Sequence, residues 1–443
     1  MIALIKAAQL ILSLSILVVL HELGHFLPAK YFKTRVEKFY LFFNPGFSLF
    51  KRKIGETEYG IGWLPLGGYV KIAGMVDESM DTEALSQPVQ PWEFRSKPAW
   101  QRLIIMLGGV TVNLILGFFI YAMVLYSFGD KVLKPSDVTY GLHVDSRISS
   151  FGFEEGDKIL ALDGKEPESY NQIRRMLLTN PVTEVSVERN GQQMNLTLPS
   201  DFGQALIDSN IREPFAMRFP TVIDVVSAGS PAEAAGLLKG DSLVGVNGVN
   251  SPFFNDLASE IRSNVDKDIT IRYYRGGALK EQVIHTTPEG TIGFGPVFPS
   301  KRGDFNYVTK DYTFFQSFGA GFTEASETLQ GYVLSLRFLF SKSGASQIGS
   351  FITIGSIFDA GWDWQVFWRT TAFLSLILAF MNLLPIPALD GGHVVFLLYE
   401  IISGRPASQK FLERAQMVGV VILLTLMVYA IGNDIYRWLT NAF

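Results

Sequence analysis

The chain has 443 residues, of which 48% are hydrophobic, 13% aromatic and only 18% charged. Soluble domains carry about a quarter charged residues, and mean hydropathy here is positive at +0.22, so a membrane protein is expected. Net charge is −4 with both signs mixed, cysteine is absent, and the five histidines are His21, His25, His143, His285 and His393. That balance gives no support for nucleic-acid binding. Disulfides and thiolate metal sites are excluded, so a metal would need imidazole and carboxylate ligands.

The first apolar segment runs from about Ile2 to Leu27 and is expected to be closed by Pro28, giving a membrane helix over 1–28. Its stretch SILVVLHELGHFL (15–27) sets His21, Glu22 and His25 in an oily run. An ionisable group at membrane depth costs about 3 kcal/mol even on lenient insertion scales, so it persists where it has a partner and a task. A signal peptide would carry a shorter apolar run and a small-residue cleavage site where HELGH stands. Residues 29–102 form a loop, and LIIMLGGVTVNLILGFFIYAMVLY (103–126) makes a second span within 103–128. A third span starts near Trp368 and ends at Leu384, inside a segment 346–402, and a fourth covers 417–438. Each is near the ~20 residues that a bilayer core requires.

Positive charge marks the cytoplasmic side. The first loop carries Lys30, Lys33, Arg35, Lys38, Lys51, Arg52 and Lys53, and the short loop 403–416 carries Arg405, Lys410 and Arg414 against Glu413. Both termini, and everything between spans two and three, are therefore expected outside. Trp362, Trp364, Trp368 and Trp438 then fall on the outer face as an aromatic belt.

The outer region repeats a pattern. GFEEGDKILALDG (152–164) and GLLKGDSLVGVNG (236–248) are both G-x-x-x-G-D-x-x-x-x-x-x-G. Each makes a turn, an alternating strand and a second turn, then leads into a helical stretch and a further strand pair. With SAGSPAEAAGLLKGDSLVGVNG (227–248), this resembles a tandem of PDZ domains, over 129–216 and 217–300. The resemblance implies binding of extended peptide by strand addition. His143 and His285 read as surface or packing residues. After the repeats, Phe315, Phe318, Phe322, Leu329 and Leu336 stand at helical spacing within 301–345. They fit an amphipathic helix on the outer leaflet or, equally, a helix packed on the protein.

H-E-x-x-H on a helix puts two imidazoles one turn apart on one face, able to bind one zinc with the intervening glutamate as general base. A catalytic zinc wants a third protein ligand and an open position. NLLPIPALDGGH (382–393) offers Asp390, with His393 as the alternative. Its two prolines break the helix, and irregular backbone at membrane depth is tolerated only where protein or water covers it.

HELGH followed far downstream by NxxPxPxLDGG resembles the site-2 protease family of intramembrane zinc metalloproteases. Four spans with two outer PDZ domains resemble its bacterial regulator-of-sigma-E protease branch. The resemblance implies a polytopic α-helical membrane protein with a re-entrant β-hairpin and two β-rich PDZ domains between the second and third helices. It implies that Zn2+ is held by His21, His25 and Asp390, that Glu22 is the general base, and that Asn382 holds the substrate backbone. GIGWLPLGGYVKIAGM (60–75) resembles the branch's re-entrant hairpin, placed near 55–75, whose Gly67, Gly68, Tyr69, Val70 and Lys71 would offer an edge for substrate. Asn113 keeps a family position, although GVTVN (109–113) lacks the usual proline, as does QIGSFITIG (347–355).

The implied activity is cleavage, in a bacterial inner membrane, of single-span proteins of the anti-sigma type after a first outer cut; remnant signal peptides are a further substrate class. The PDZ pair and both termini would be periplasmic, and the zinc would lie toward the cytoplasm. A membrane scaffold with a structural metal site is the rival reading. A transporter is disfavoured by four spans without an inverted repeat.

Overall fold

A computed structural model of the chain describes residues 2–75, 87–179, 181–208, 211, 214–303, 305–336, 349–359 and 361–439. They divide into two units, Met1–Gly129 with Asp311–Phe443, and Asp130–Lys310. The side chains of Leu336 and Trp438, and residues 347–348 of QIGSFITIG, lie outside the described residues.

The first unit begins with α1 (Ile2–Tyr31). Pro28 does not close it. A proline removes only the bond to the carbonyl four residues back, here that of Gly24. The helix continues a further turn, with the Phe32 N–H donating to Pro28 O at 2.9 Å. β1 (Val36–Ile54) and β2 (Thr57–Ile72) follow and fold back on each other. Val36–Leu41 pairs with Gly68–Ile72, and Ser48–Ile54 pairs with Thr57–Gly62. The sheet depends on glycines where rings and carbonyls come close: a Cβ at Gly60 would lie 2.3 Å from the Tyr40 ring, and one at Gly62 would lie 2.2 Å from Phe43 O. α2 (Ala99–Phe128) then leads into the second unit.

That unit starts with β3 (Asp130–Leu133) and closes with β15 (Tyr307–Lys310), which pair antiparallel. Between them come β4 (Leu142–Val144), β5 (Lys158–Leu162), α3 (Tyr170–Thr179), β6 (Glu184–Arg189), β7 (Gln192–Thr197), α4 (Phe202–Asp208) and β8 (Phe215–Met217). Next come β9 (Thr221–Val226), α5 (Pro231–Ala234), β10 (Ser242–Val246), β11 (Val249–Asn250), α6 (Phe254–Arg262), β12 (Asp268–Arg275), β13 (Ala278–His285) and β14 (Phe294–Pro296).

The unit has two hydrophobic cores. One is built around Ile148, Phe153, Val185 and Phe202, the other around Ile223, Leu243, Leu257 and Ile271. The Gly-Asp turns serve both cores alike. Asp157 and Asp241 are buried, and each accepts a two-pronged bond from an arginine that ends a later strand. Arg189 Nε reaches Asp157 Oδ1 at 2.7 Å, and Arg275 Nε reaches Asp241 Oδ1 at 2.7 Å. Each guanidinium also donates to the glycine carbonyl that opens the pattern, Gly152 or Gly236. The bidentate fork explains why a buried aspartate is tolerated there.

The remaining helices belong to the first unit: α7 (Phe314–Leu336), α8 (Phe351–Ser356), α9 (Trp364–Leu383), α10 (Asp390–Ser403) and α11 (Gln409–Leu439). Four helices are long and apolar enough to cross a membrane: Ala3–Tyr31, Ala99–Phe128, Trp364–Leu383 and Gln409–Tyr436. The third span, expected from near Trp368 to Leu384 within 346–402, runs from Trp364 to Leu383; the chain then breaks at 384–389 and α10 starts at Asp390, as the two prolines led the sequence to expect.

α2 is the central helix. It meets α1 at Gly24 and Gly108, where a Cβ on Gly108 would sit 1.8 Å from Gly24 O. It meets α9 at Gly117, against Leu376 and Ala372. Small residues allow such close approach in apolar surroundings. α7 touches α2 and α9 and leaves Phe315 and Phe322 exposed, which suits either of its two expected placements. Phe314, Phe318 and Phe322 pair with Tyr126, Phe119 and Phe118 of α2, and Arg369 Nε on α9 donates to Glu324 at 2.8 Å.

A charge cluster joins the two cores of the second unit. His143 Nδ1 lies 2.8 Å from Glu155 and 3.6 Å from Asp256, and Arg218 reaches Asp256 at 3.1 Å. Asp256 and then Glu155 push the His143 imidazole up to about 9. The folded value is raised above the free value of about 6.5. The attraction is therefore complete below about pH 6.5 and lost as pH rises through about 9. Hydrogen exchange in the full chain, corrected for intrinsic rate, should show β4 and the first turn of α6 losing roughly three- to tenfold protection between pH 7 and pH 10. His143→Gln should abolish that step; an unchanged step would assign it to another group.

Candidate metal centre

Two turns of α1 carry the centre. His21 and His25 are four residues apart and share a helix face. Their Nε2 atoms lie 3.2 Å from each other, and each lies 3.3 Å from Asp390 Oδ2 at the start of α10. A tetrahedral zinc with bonds of ~2.0–2.1 Å places its ligand atoms roughly 3.3–3.4 Å apart. The three atoms thus already stand at the spacing that one such ion imposes.

Two further observations fit a cation. Asp390 Oδ2 is buried and has no hydrogen-bond partner, a costly state for a carboxylate oxygen unless something unseen satisfies it. Beside it, Gly109 of α2 leaves a cradle: a Cβ there would lie 2.4 Å from His25 Nε2 and 2.6 Å from His21 Cε1.

The far ring nitrogens are held from α2. His25 Nδ1 is 2.8 Å from Ile105 O and so donates to it, which leaves Nε2 as the lone pair. His21 Nδ1 is 3.3 Å from the Asn113 side-chain amide. Asn113 is 1% exposed, and its Oδ1 has no other partner. With the amide turned so that Oδ1 faces the ring, Oδ1 accepts from the His21 Nδ1–H. Both imidazoles then present Nε2 to the centre. Ser375 Oγ of α9 donates to Asn113 O at 2.7 Å and fixes the helix beneath it.

Asn113 was expected from sequence among the substrate contacts, and the structure places it behind His21. Asn382, at the end of α9, instead has its side-chain amide 3.4 Å from His21 Nε2, on the side facing the centre. His393 lies one turn beyond Asp390 and lines the same cavity; among the described residues the grouping able to hold a metal here is His21, His25 and Asp390.

The cavity measures about 830 Å³, and every site residue named from sequence lines it. Glu22 is nearly buried, and its side chain lies close to the hairpin: a Cβ on Gly68 would come within 3.5 Å of Glu22 Cγ. The hairpin brings Gly67, Gly68, Tyr69, Val70 and Lys71 to this wall. Gly68–Ile72 pairs with β1 alone among the described residues, so it forms a sheet edge. Tyr69 is stacked 5.3 Å from Tyr40 and donates to Asn44 at 2.9 Å, and Lys71 lies 3.6 Å from Glu37. These two side chains thus brace the hairpin.

Sequence reasoning missed Gly109, Ile105 and Gln416. The Gly108-Gly109 pair was visible as small residues in an apolar helix. A backbone carbonyl such as that of Ile105 leaves no signature in sequence.

The sequence model of peptidase family M50 matches residues 9–426. The regulator of sigma E protease of Haemophilus influenzae is 28% identical over 448 residues, covering 96% of this chain and 98% of its own. Metalloprotease MmpA of Caulobacter vibrioides is 27% identical over 450 residues, covering 98% and 96%. The regulator of sigma-E protease of Salmonella typhimurium is 27% identical over 452 residues, covering 97% and 98%.

Gly109→Ala should push a methyl into the cradle. Zinc content of the purified protein should fall at least about tenfold, with helix content retained. Asn113→Leu should weaken zinc binding by roughly 10- to 100-fold through loss of the His21 orientation. Full zinc occupancy in both would show that neither residue shapes the centre.

Proposed function

We propose that this chain, which belongs to peptidase family M50 and is a zinc metalloprotease, cuts peptide bonds inside the membrane-spanning segments of single-span proteins. The observation that carries this reading is the placement of the His21–His25–Asp390 grouping, His25 buried and the other two partly so, among apolar helices beside the open sheet edge of the hairpin. His21, His25 and Asp390 would hold one zinc ion. Such an ion, when bound, polarises a carbonyl and makes water acidic.

The chain's own groups supply the rest. Glu22 accepts a proton from the attacking water at its carboxylate and returns it to the amide nitrogen as the bond breaks. Asn382 donates to the substrate backbone next to His21. A substrate helix keeps its carbonyls in hydrogen bonds, so it must unwind before it reacts. Gly68–Ile72 offers strand pairing that replaces those bonds. The glycines at 67 and 68 keep that edge free of side chains where the substrate enters.

The inserted unit reads as two PDZ domains, 129–216 and 217–300, on the periplasmic side of a bacterial inner membrane. Positive charge in 29–102 and 403–416 supports that orientation, with the zinc toward the cytoplasm. We read the pair as a filter that excludes substrates whose outer domain is intact. The enzyme would then make the second cut of an anti-sigma factor, in keeping with the printed names of its relatives.

Three outcomes test the reading. Glu22→Gln should retain zinc and fold but lose at least about 100-fold in cleavage of a single-span substrate, because an amide cannot take the proton. Asp390→Ala should lose zinc; full zinc and activity would shift the third ligand to His393. Deleting 135–300 keeps β3 and β15, whose pairing brings the two cut ends together. The deleted enzyme should cleave both the full-length and the pre-trimmed form of one substrate, whereas the intact enzyme takes only the trimmed form. Cleavage of the trimmed form alone by both enzymes would reject the filter.

A further inference from the structure

We infer that Gln416 of α11 is a positioning residue for Asp390, holding the loop before it in a conformation the loop would not keep alone. Ala388, two residues before Asp390, has φ +80°. This is the left-handed region, which residues other than glycine rarely adopt. Its backbone N–H is buried and donates to Gln416 Oε1 at 3.1 Å. Gln416 is itself only 4% exposed.

Three residues along the same face of α11, Gly419 lets backbone meet backbone: a Cβ there would lie 1.6 Å from Pro387 O. Two adjacent loop residues are thus gripped by one helix face. Inside the loop, the Leu389 N–H donates to Ile386 O at 3.1 Å and the Gly392 N–H to Leu389 O at 3.0 Å. Gly391 and Gly392 pack so closely on 383–387 that a Cβ on either would fall within 2.7 Å of that backbone.

The loop backbone sets where the Asp390 side chain starts, and from there its Oδ2 stands 3.3 Å from the Nε2 atoms of His21 and His25. Gln416 suits the task. Its oxygen accepts the one N–H that the left-handed turn leaves over. A neutral amide adds no charge beside a centre already holding two carboxylates. Removing the acceptor would leave the Ala388 N–H buried and unpaired. The strained residue would then relax, and Asp390 would move off the two imidazoles.

The inference rests on Asp390 being a zinc ligand, so its test includes Asp390→Ala. Purified full-length protein is titrated with EDTA, and kcat and KM are measured on a single-span substrate. Gln416→Leu should release zinc roughly 10- to 100-fold more readily, with kcat falling and KM nearly unchanged. Adding Ala388→Gly to Gln416→Leu should restore much of the loss, because glycine adopts φ +80° without strain. If the leucine variant does not purify folded, Gln416→Asn, one methylene shorter and still polar, should show the same loss. Wild-type zinc retention in Gln416→Leu, alongside loss in Asp390→Ala, overturns the inference. Failure of Ala388→Gly to restore zinc retention to Gln416→Leu overturns it as well, and assigns Gln416 to packing. Retention of zinc by Asp390→Ala would refute the ligand assignment itself.

Discussion

The close approach of α1 and α2 at Gly24, Gly108 and Gly109 is the constraint on which the centre depends. No residue with a Cβ fits at either Gly24 or Gly108, since each added atom would strike the partner's backbone. Apolar surroundings give helices no hydrophobic reason to associate, so shape and polar contacts decide the pairing. The same crossing brings Ile105 O and Asn113 behind the two histidines and leaves Gly109 open in front of them. One packing contact thereby sets which nitrogen of each ring faces the cavity.

The second requirement is electrical. With both imidazoles neutral, Glu22 and Asp390 bring two negative charges into a cavity whose lining is largely apolar and also includes Lys38 and Lys71. A buried charge is expensive without a partner, and a divalent cation at the three ligand atoms offsets the carboxylates directly. Charge balance and the 3.2–3.3 Å ligand spacing favour the same occupant. The break between α9 and α10 completes the set. Pro385 and Pro387 stop one helix so that Asp390 can start another pointing at α1, while α11 covers the exposed backbone through Gln416 and Gly419.

Much of this was legible in the sequence, for physical reasons that also mark its limits. HELGH declares itself because charge in an oily helix needs a reason, and LDGG because two prolines and two glycines cannot form an ordinary span. The four long apolar stretches follow from bilayer thickness. Pro28 misled because a proline deletes only one backbone bond, and the turn after it still closes through Phe32 N–H to Pro28 O. The partners Arg189 and Arg275 of the two Gly-Asp turns were hidden, since each lies over thirty residues from its aspartate. α7 stood equally between a leaflet and a protein face, as its aromatics suit both; its rings meet rings of α2 and yet stay largely exposed. Gln416 carried no signal at all. A polar residue near a helix end is unremarkable until the strained residue it holds is seen.

The central claim is that two imidazoles of α1 and one carboxylate of α10 hold a single zinc. X-ray absorption at the zinc edge of the purified, zinc-loaded protein tests it most directly. The account expects a four-coordinate ion with two imidazole nitrogens and two oxygens at about 2.0–2.1 Å. It further expects Asp390→Ala, prepared in the same way, to lose the bound zinc and with it this signal. Scattering from a third imidazole, with Asp390→Ala leaving the spectrum unchanged, would contradict it and give the third position to His393.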